Sequence, residues 1–84
     1  MSIIRVRARF FALYRDFAGA EELSLELPAA CSAAHALAAL RARGGGLEHL
    51  PERPVIAVNQ AFETLEFVLR DGDELAFLPP VAGG

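Results

Sequence analysis

The sequence predicts a two-layer α+β domain, a mixed sheet of four to five strands with one main helix packed across it. Three observations carry that expectation. Residues 3–13 in part, and residues 22–27 throughout, alternate apolar and polar side chains with a period of two. Residues 33–43 are rich in alanine, follow a serine and end at three glycines. Two short apolar runs, Val55–Val58 and Glu74–Leu78, come after them, separated by turn-forming residues. A chain of 84 residues has room for one such domain.

In the first segment Ile4, Val6, Ala8 and Phe10 share one parity, and Arg5, Arg7, Arg9 and Phe11 the other. That is a strand with one face in a core and its arginine face in solvent. Residues 14–19 break the period, which predicts a single helical turn closed by Gly19. In the second strand Leu23, Leu25 and Leu27 face in, Glu22, Ser24 and Glu26 face out, and Pro28 stops it. The short link makes these two strands an antiparallel hairpin. Ser32 is the expected N-cap of the helix, with Leu37 and Leu40 on its buried face. Arg41 and Arg43 suit the negative end of its dipole, and Gly44, Gly45 and Gly46 end it.

Residues 47–54 contain two prolines and read as a loop. Val55–Val58 reads as a central strand, Asn59-Gln60 as a turn, and residues 62–69 as a mixed segment holding a short edge strand. Asp71-Gly72-Asp73 is a turn ahead of the last strand, Glu74–Leu78. The long connection through the helix makes parallel pairing somewhere in the sheet an expectation. Residues 1–78 are the expected domain and 79–84 an extended tail.

Composition narrows the function. Cys31 is the one cysteine, so no internal disulfide and no cysteine metal cluster can form. A reducing, cytoplasmic setting fits that usage. No apolar run approaches the roughly 18–20 residues of a membrane span, and the alternating N-terminus is not a secretory leader pattern. A net charge of −3 argues against nucleic acid as a partner. All eight basic residues are arginine, which removes lysine as a catalytic amine and as an isopeptide acceptor.

Catalytic groups are scarce. Cys31 and His35 have a spacing that chelates a metal only if both are helical, and two ligands are too few, so no metal site is expected. The three-glycine run ends a helix and has no following lysine, serine or threonine, so it is not a phosphate loop. Glu63, Glu66, Asp71, Asp73 and Glu74 make the second half acidic, and Arg5, Arg7 and Arg9 form a basic ladder. Each set reads first as a solvated face and second as a grip for an oppositely charged partner.

The C-terminus is the unusual feature. Two glycines at the last two positions arise from composition alone about once in 200 chains. Pro79 and Pro80 lack N–H donors, end the ladder and favour a stiff extended projection. Val81 and Ala82 are small to medium, and Gly83 and Gly84 have no side chain, so the tail thins and fits a narrow tunnel in another protein. Such a tail delivers its terminal carboxylate. A carboxylate is a poor electrophile until it carries a phosphate-type leaving group. Adenylation by ATP supplies one, and a sulfur nucleophile then forms a thiocarboxylate.

Arg9-Phe10-Phe11-Ala12-Leu13-Tyr14-Arg15 with Ala18-Gly19, then Val58-Asn59-Gln60, then the block from Leu69 to Gly84 resemble the small subunit of molybdopterin synthase, the MoaD family. The resemblance covers nearly the whole chain, and the C-terminal block is its most specific part. It implies a ubiquitin-like β-grasp fold. It implies that Gly84 is adenylated by a MoeB-type adenylyltransferase and then thiocarboxylated, with ATP used by that partner and no cofactor bound here. It implies that the tail, Pro79 to Gly83 leading to Gly84, enters the large subunit, MoaE, in a heterotetramer. There sulfur passes to cyclic pyranopterin monophosphate in molybdenum cofactor biosynthesis. The catalytic groups would be the large subunit's, making this chain a non-catalytic carrier.

The resemblance also implies a partner-facing surface at Phe11, Phe62 and Leu78. Strand parity independently places Phe11 and Leu78 away from the core. Two further readings stay open: a sulfur carrier for thiamine or tRNA thiolation, and a ubiquitin-like protein-interaction module or modifier.

Overall fold

A computed structural model describes residues 2–80. Val81, Ala82, Gly83 and Gly84 of the predicted tail therefore lie outside the described residues. The elements run β1 (Ile3–Phe10), α1 (Ala12–Ala18), β2 (Glu22–Pro28), α2 (Ala33–Arg43), a 3-10 turn at Leu47–His49, β3 (Val55–Val58), β4 (Ala61–Glu63) and β5 (Glu74–Leu78). The strands form one sheet in the order β2-β1-β5-β3-β4. β1 and β5 run parallel; β1 with β2, β3 with β5, and β3 with β4 run antiparallel. This is the ubiquitin-like β-grasp, a mixed sheet crossed by one main helix.

The core lies between α2 and one face of the sheet. Ala33, Ala36, Leu37 and Leu40 are the buried residues of α2. Alanines at two of those positions bring the helix backbone close to the sheet. Val6, Ala8, Phe10, Leu25, Leu27, Ile56, Val58, Leu75 and Phe77 answer from the strands. Phe10 and Phe77, register partners on β1 and β5, stack with centroids 5.6 Å apart. That contact joins the two ends of the chain through apolar burial and ring stacking.

Capping fixes where α2 begins. Ser32 Oγ accepts from the His35 N–H at 3.3 Å, and the Ser32 N–H donates back to His35 Nδ1 at 3.1 Å. The next free donors find the segment after β4: Ala33 N–H donates to the Phe67 carbonyl and Ala34 N–H to that of Leu65, each at 2.9 Å. Helix start and loop thus satisfy each other's backbone. Asp73, a buried carboxylate, ties two turns together by accepting from Asn59 Nδ2 at 2.9 Å and from the Arg70 N–H at 2.8 Å.

Several expectations need correction. β1 stops at Phe10; Ala12 takes a φ of 49° and turns the chain into α1, so Phe11 is a helix N-cap and not a strand residue. The predicted single turn at 14–19 is the seven-residue α1, closed as expected by Gly19 at φ 71°. β3 is an interior strand as expected, lying between β5 and the edge strand β4, while β5 holds the middle position. The parallel pair joins β1 to β5. The segment read as a loop contains the 3-10 turn, and its Leu47 and Leu50 belong to the core. The edge strand, Ala61–Glu63, starts one residue before the mixed segment and takes in only its first two residues.

Candidate docking face

The sheet has a second face, opposite α2. Because Ile56, Val58, Leu75 and Phe77 point into the core, period two sends Val55, Ala57, Glu74, Ala76 and Leu78 to the other side. Register lines them up. Phe62 pairs with Ala57, Ala57 with Ala76, and Ala76 with Arg9, a row across four strands. Val55 pairs with Leu78 one step along. Phe11 is extended and follows the Phe10–Phe77 pair directly, so it comes level with Leu78.

This half of the face is apolar and uncovered. Phe62 is 76% exposed, Val55 54% and Phe11 38%, while Leu78 is half-buried. Ala57 and Ala76 are buried beneath their larger neighbours and form a floor. Ile3, Leu13 and Val68 are also exposed, and exposed apolar residues of this kind are common on protein surfaces. A cluster with two aromatics on one sheet face is not ordinary, which makes this surface the candidate docking face.

The other half of the face is charged and paired within the chain. Arg5 Nη2 lies 2.8 Å from Glu26 Oε2, and Arg7 Nη1 3.9 Å from Glu22 Oε1. Glu26, by hydrogen bond and charge, holds the Arg5 guanidinium still more firmly protonated. These pairs are exposed and contribute little to stability. The basic ladder is thus answered by glutamates of the same chain. The acidic residues do not gather. Asp71 accepts from the Arg5 N–H at 2.8 Å, Asp73 is buried in its turns, and Glu74 faces Arg9. The shallow concavity between Arg5, Glu26, Asp71 and Gly72 belongs to this paired half. Among the described residues no group of three or more His, Cys, Asp and Glu is placed to hold a metal. His35 is occupied as the helix cap.

The three predicted partner residues, Phe11, Phe62 and Leu78, therefore fall on one surface although they come from a helix cap, an edge strand and the central strand. Pro79 is half-buried and Pro80 exposed, and both follow Leu78 directly. The sequence reading missed Val55 and the alanine floor. Their signal was parity inside β3: once Ile56 and Val58 are core, Val55 must face away.

The family model described as ThiS family matches residues 8–84. The chain belongs to the ThiS family. The molybdopterin synthase sulfur carrier subunit of Escherichia coli, strain K12, is 35% identical over 81 residues, covering 94% of this chain and 99% of that protein. Among solved structures, small archaeal modifier protein 1 from Methanosarcina acetivorans superposes with a TM-score of 0.80 at 27% identity, covering 100% of both chains. A protein-protein complex of subunits 1 and 2 of the molybdopterin-converting factor from Helicobacter pylori 26695 contains a chain with a TM-score of 0.68 at 29% identity, covering 96% of this chain and 100% of that one. Among the described residues the most distinctive surface is the apolar half-face of Phe11, Val55, Phe62 and Leu78.

Proposed function

We propose that this chain is the sulfur carrier subunit of a molybdopterin synthase. The observation that carries the reading is the match of the family model through residue 84, together with full-length similarity to a carrier subunit of that name. In this reading the Gly84 carboxylate attacks the α-phosphate of ATP on a MoeB-type adenylyltransferase and releases pyrophosphate. A sulfide-equivalent nucleophile then displaces AMP and leaves a C-terminal thiocarboxylate. The large subunit receives the chain on the apolar half-face of Phe11, Val55, Phe62 and Leu78, and Pro79 to Gly83 lead the thiocarboxylate to its active site. There the sulfur passes to cyclic pyranopterin monophosphate. The chain itself contributes no general acid or base.

The likeness to small archaeal modifier protein 1 favours, as second reading, attachment of the same activated carboxylate to other proteins. Removing Gly84 tests the first reading. The shortened chain is expected to fold normally, since the core of the described residues ends at Phe77, and to fail to restore molybdoenzyme activity in cells lacking their own small subunit. Restoration by the shortened chain would contradict the proposal. Full-length chain that fails to restore activity yet forms conjugates with other proteins would favour the second reading.

A further inference from the structure

Arg9 differs from the other rungs of the arginine ladder. Its antiparallel register partner is Glu22, yet Glu22 is engaged by Arg7 instead. Arg9 turns the other way, toward the apolar half of the face. Its Nη1 lies 3.4 Å from Glu74 Oε2, and its guanidinium carbon sits 5.3 Å from the centroid of the Phe11 ring. That is within the roughly 6 Å reach of a cation–π contact. Glu74 is a firm anchor: its N–H donates to Asn59 Oδ1 at 3.0 Å, its carbonyl accepts from the Asn59 N–H at 2.9 Å, and its side chain is only 14% exposed. Phe11 caps α1, its carbonyl accepting from the Tyr14 N–H at 3.0 Å, and it leaves 38% of its surface exposed.

We propose that Arg9 is a positioning residue for the docking face: anchored by Glu74, its guanidinium holds the Phe11 ring in the orientation that meets the partner. Two physical effects follow. A ring already held loses less rotamer freedom on binding, which preserves affinity. A guanidinium already paired with a carboxylate can be covered by an apolar partner without stranding a bare charge. This inference rests on the docking role proposed above for Phe11.

A double-mutant cycle tests it, reading affinity for the large subunit of molybdopterin synthase from the same organism. Arg9→Gln is expected to weaken binding about two- to fivefold when Phe11 is present, and to change nothing in the Phe11→Leu background, which keeps apolar bulk but removes the ring. Arg9→Lys keeps the pair with Glu74 and loses the planar stack, so its effect falls between wild type and Arg9→Gln. It serves in the same cycle if the glutamine variant folds poorly. NMR supplies a readout that a structural role would not move: the Arg9 Cδ protons are shifted upfield by the ring and return to ordinary positions in Phe11→Leu. Equal losses from the Arg9 variants in both backgrounds, or unshifted Arg9 protons, overturn the inference while leaving the docking role standing. If Phe11→Leu and Phe62→Asp both bind like wild type, the docking role itself is wrong and the inference falls with it.

Discussion

Single residues decide where this fold is tight. Gly46 has a φ of 112°, and a Cβ built on it would sit 2.1 Å from the Phe17 carbonyl oxygen. Gly45, beside it, has a φ of 68° and open space around it. Gly46→Ala is therefore expected to cost at least about 2 kcal/mol, from backbone strain plus a steric clash with main chain, and Gly45→Ala about 1 kcal/mol. Urea unfolding of the two variants checks the difference. Tyr14 offers a second test, because it is the only tyrosine and there is no tryptophan. Burial raises its phenol above the ordinary tyrosine value. The unfolded chain then releases the proton at lower pH than the folded one, so stability is intact below the unfolded pKa and declines as pH rises toward the folded one. Phenolate absorbance should titrate later in the native protein than in urea, and Tyr14→Phe should flatten the alkaline loss of melting temperature. Coincident native and denatured titrations would contradict the burial argument. At this scale the sequence was legible where parity applied, as for Leu78, and opaque for Gly46, whose demand comes from a carbonyl nearly thirty positions away.

Elements were legible where their own residues settle them. α2 carries its cap, its buried stripe and its glycine stop within its span, and it appeared over the expected range. Ser32→Ala removes the side-chain acceptor of that cap and is expected to cost about 1 kcal/mol, measurable as a lower urea midpoint with unchanged slope. β3 was legible as an interior strand from its apolar run, although Val55 is apolar on the open face and not under a covering layer. The end of β1 was not legible: Phe11 sits on the solvent parity of Arg5, Arg7 and Arg9, Ala12 breaks the strand with its backbone, and alanine gives no warning of a positive φ. Leu47 and Leu50 were lost in a proline-containing stretch, although both are core. They close the lower edge of the domain, where the Phe17 and His49 rings meet with centroids 5.5 Å apart.

The whole molecule is a sheet with two unlike faces. One is closed by α2 and holds the core. The other is divided, charged and self-paired over β1 and β2, apolar and open over β3, β4 and the end of β5. More than half of the residues are apolar, and part of that fraction is spent on a surface that the isolated chain leaves in water. Phe62→Asp separates this surface from the core. With Phe62 so exposed, the substitution should leave the melting temperature within about 4 °C of wild type and weaken large-subunit binding at least about 10-fold. A large fall in melting temperature with unchanged affinity would return Phe62 to the fold. The rest of the proposed chemistry belongs to the carboxylate of Gly84, and intact mass measures it most directly. After incubation with ATP, a MoeB-type adenylyltransferase and a sulfur donor, the chain should gain the mass difference between one sulfur and one oxygen, localised to Gly84 and dependent on ATP. A chain whose mass does not change, while a known carrier is converted in the same mixture, would contradict the account.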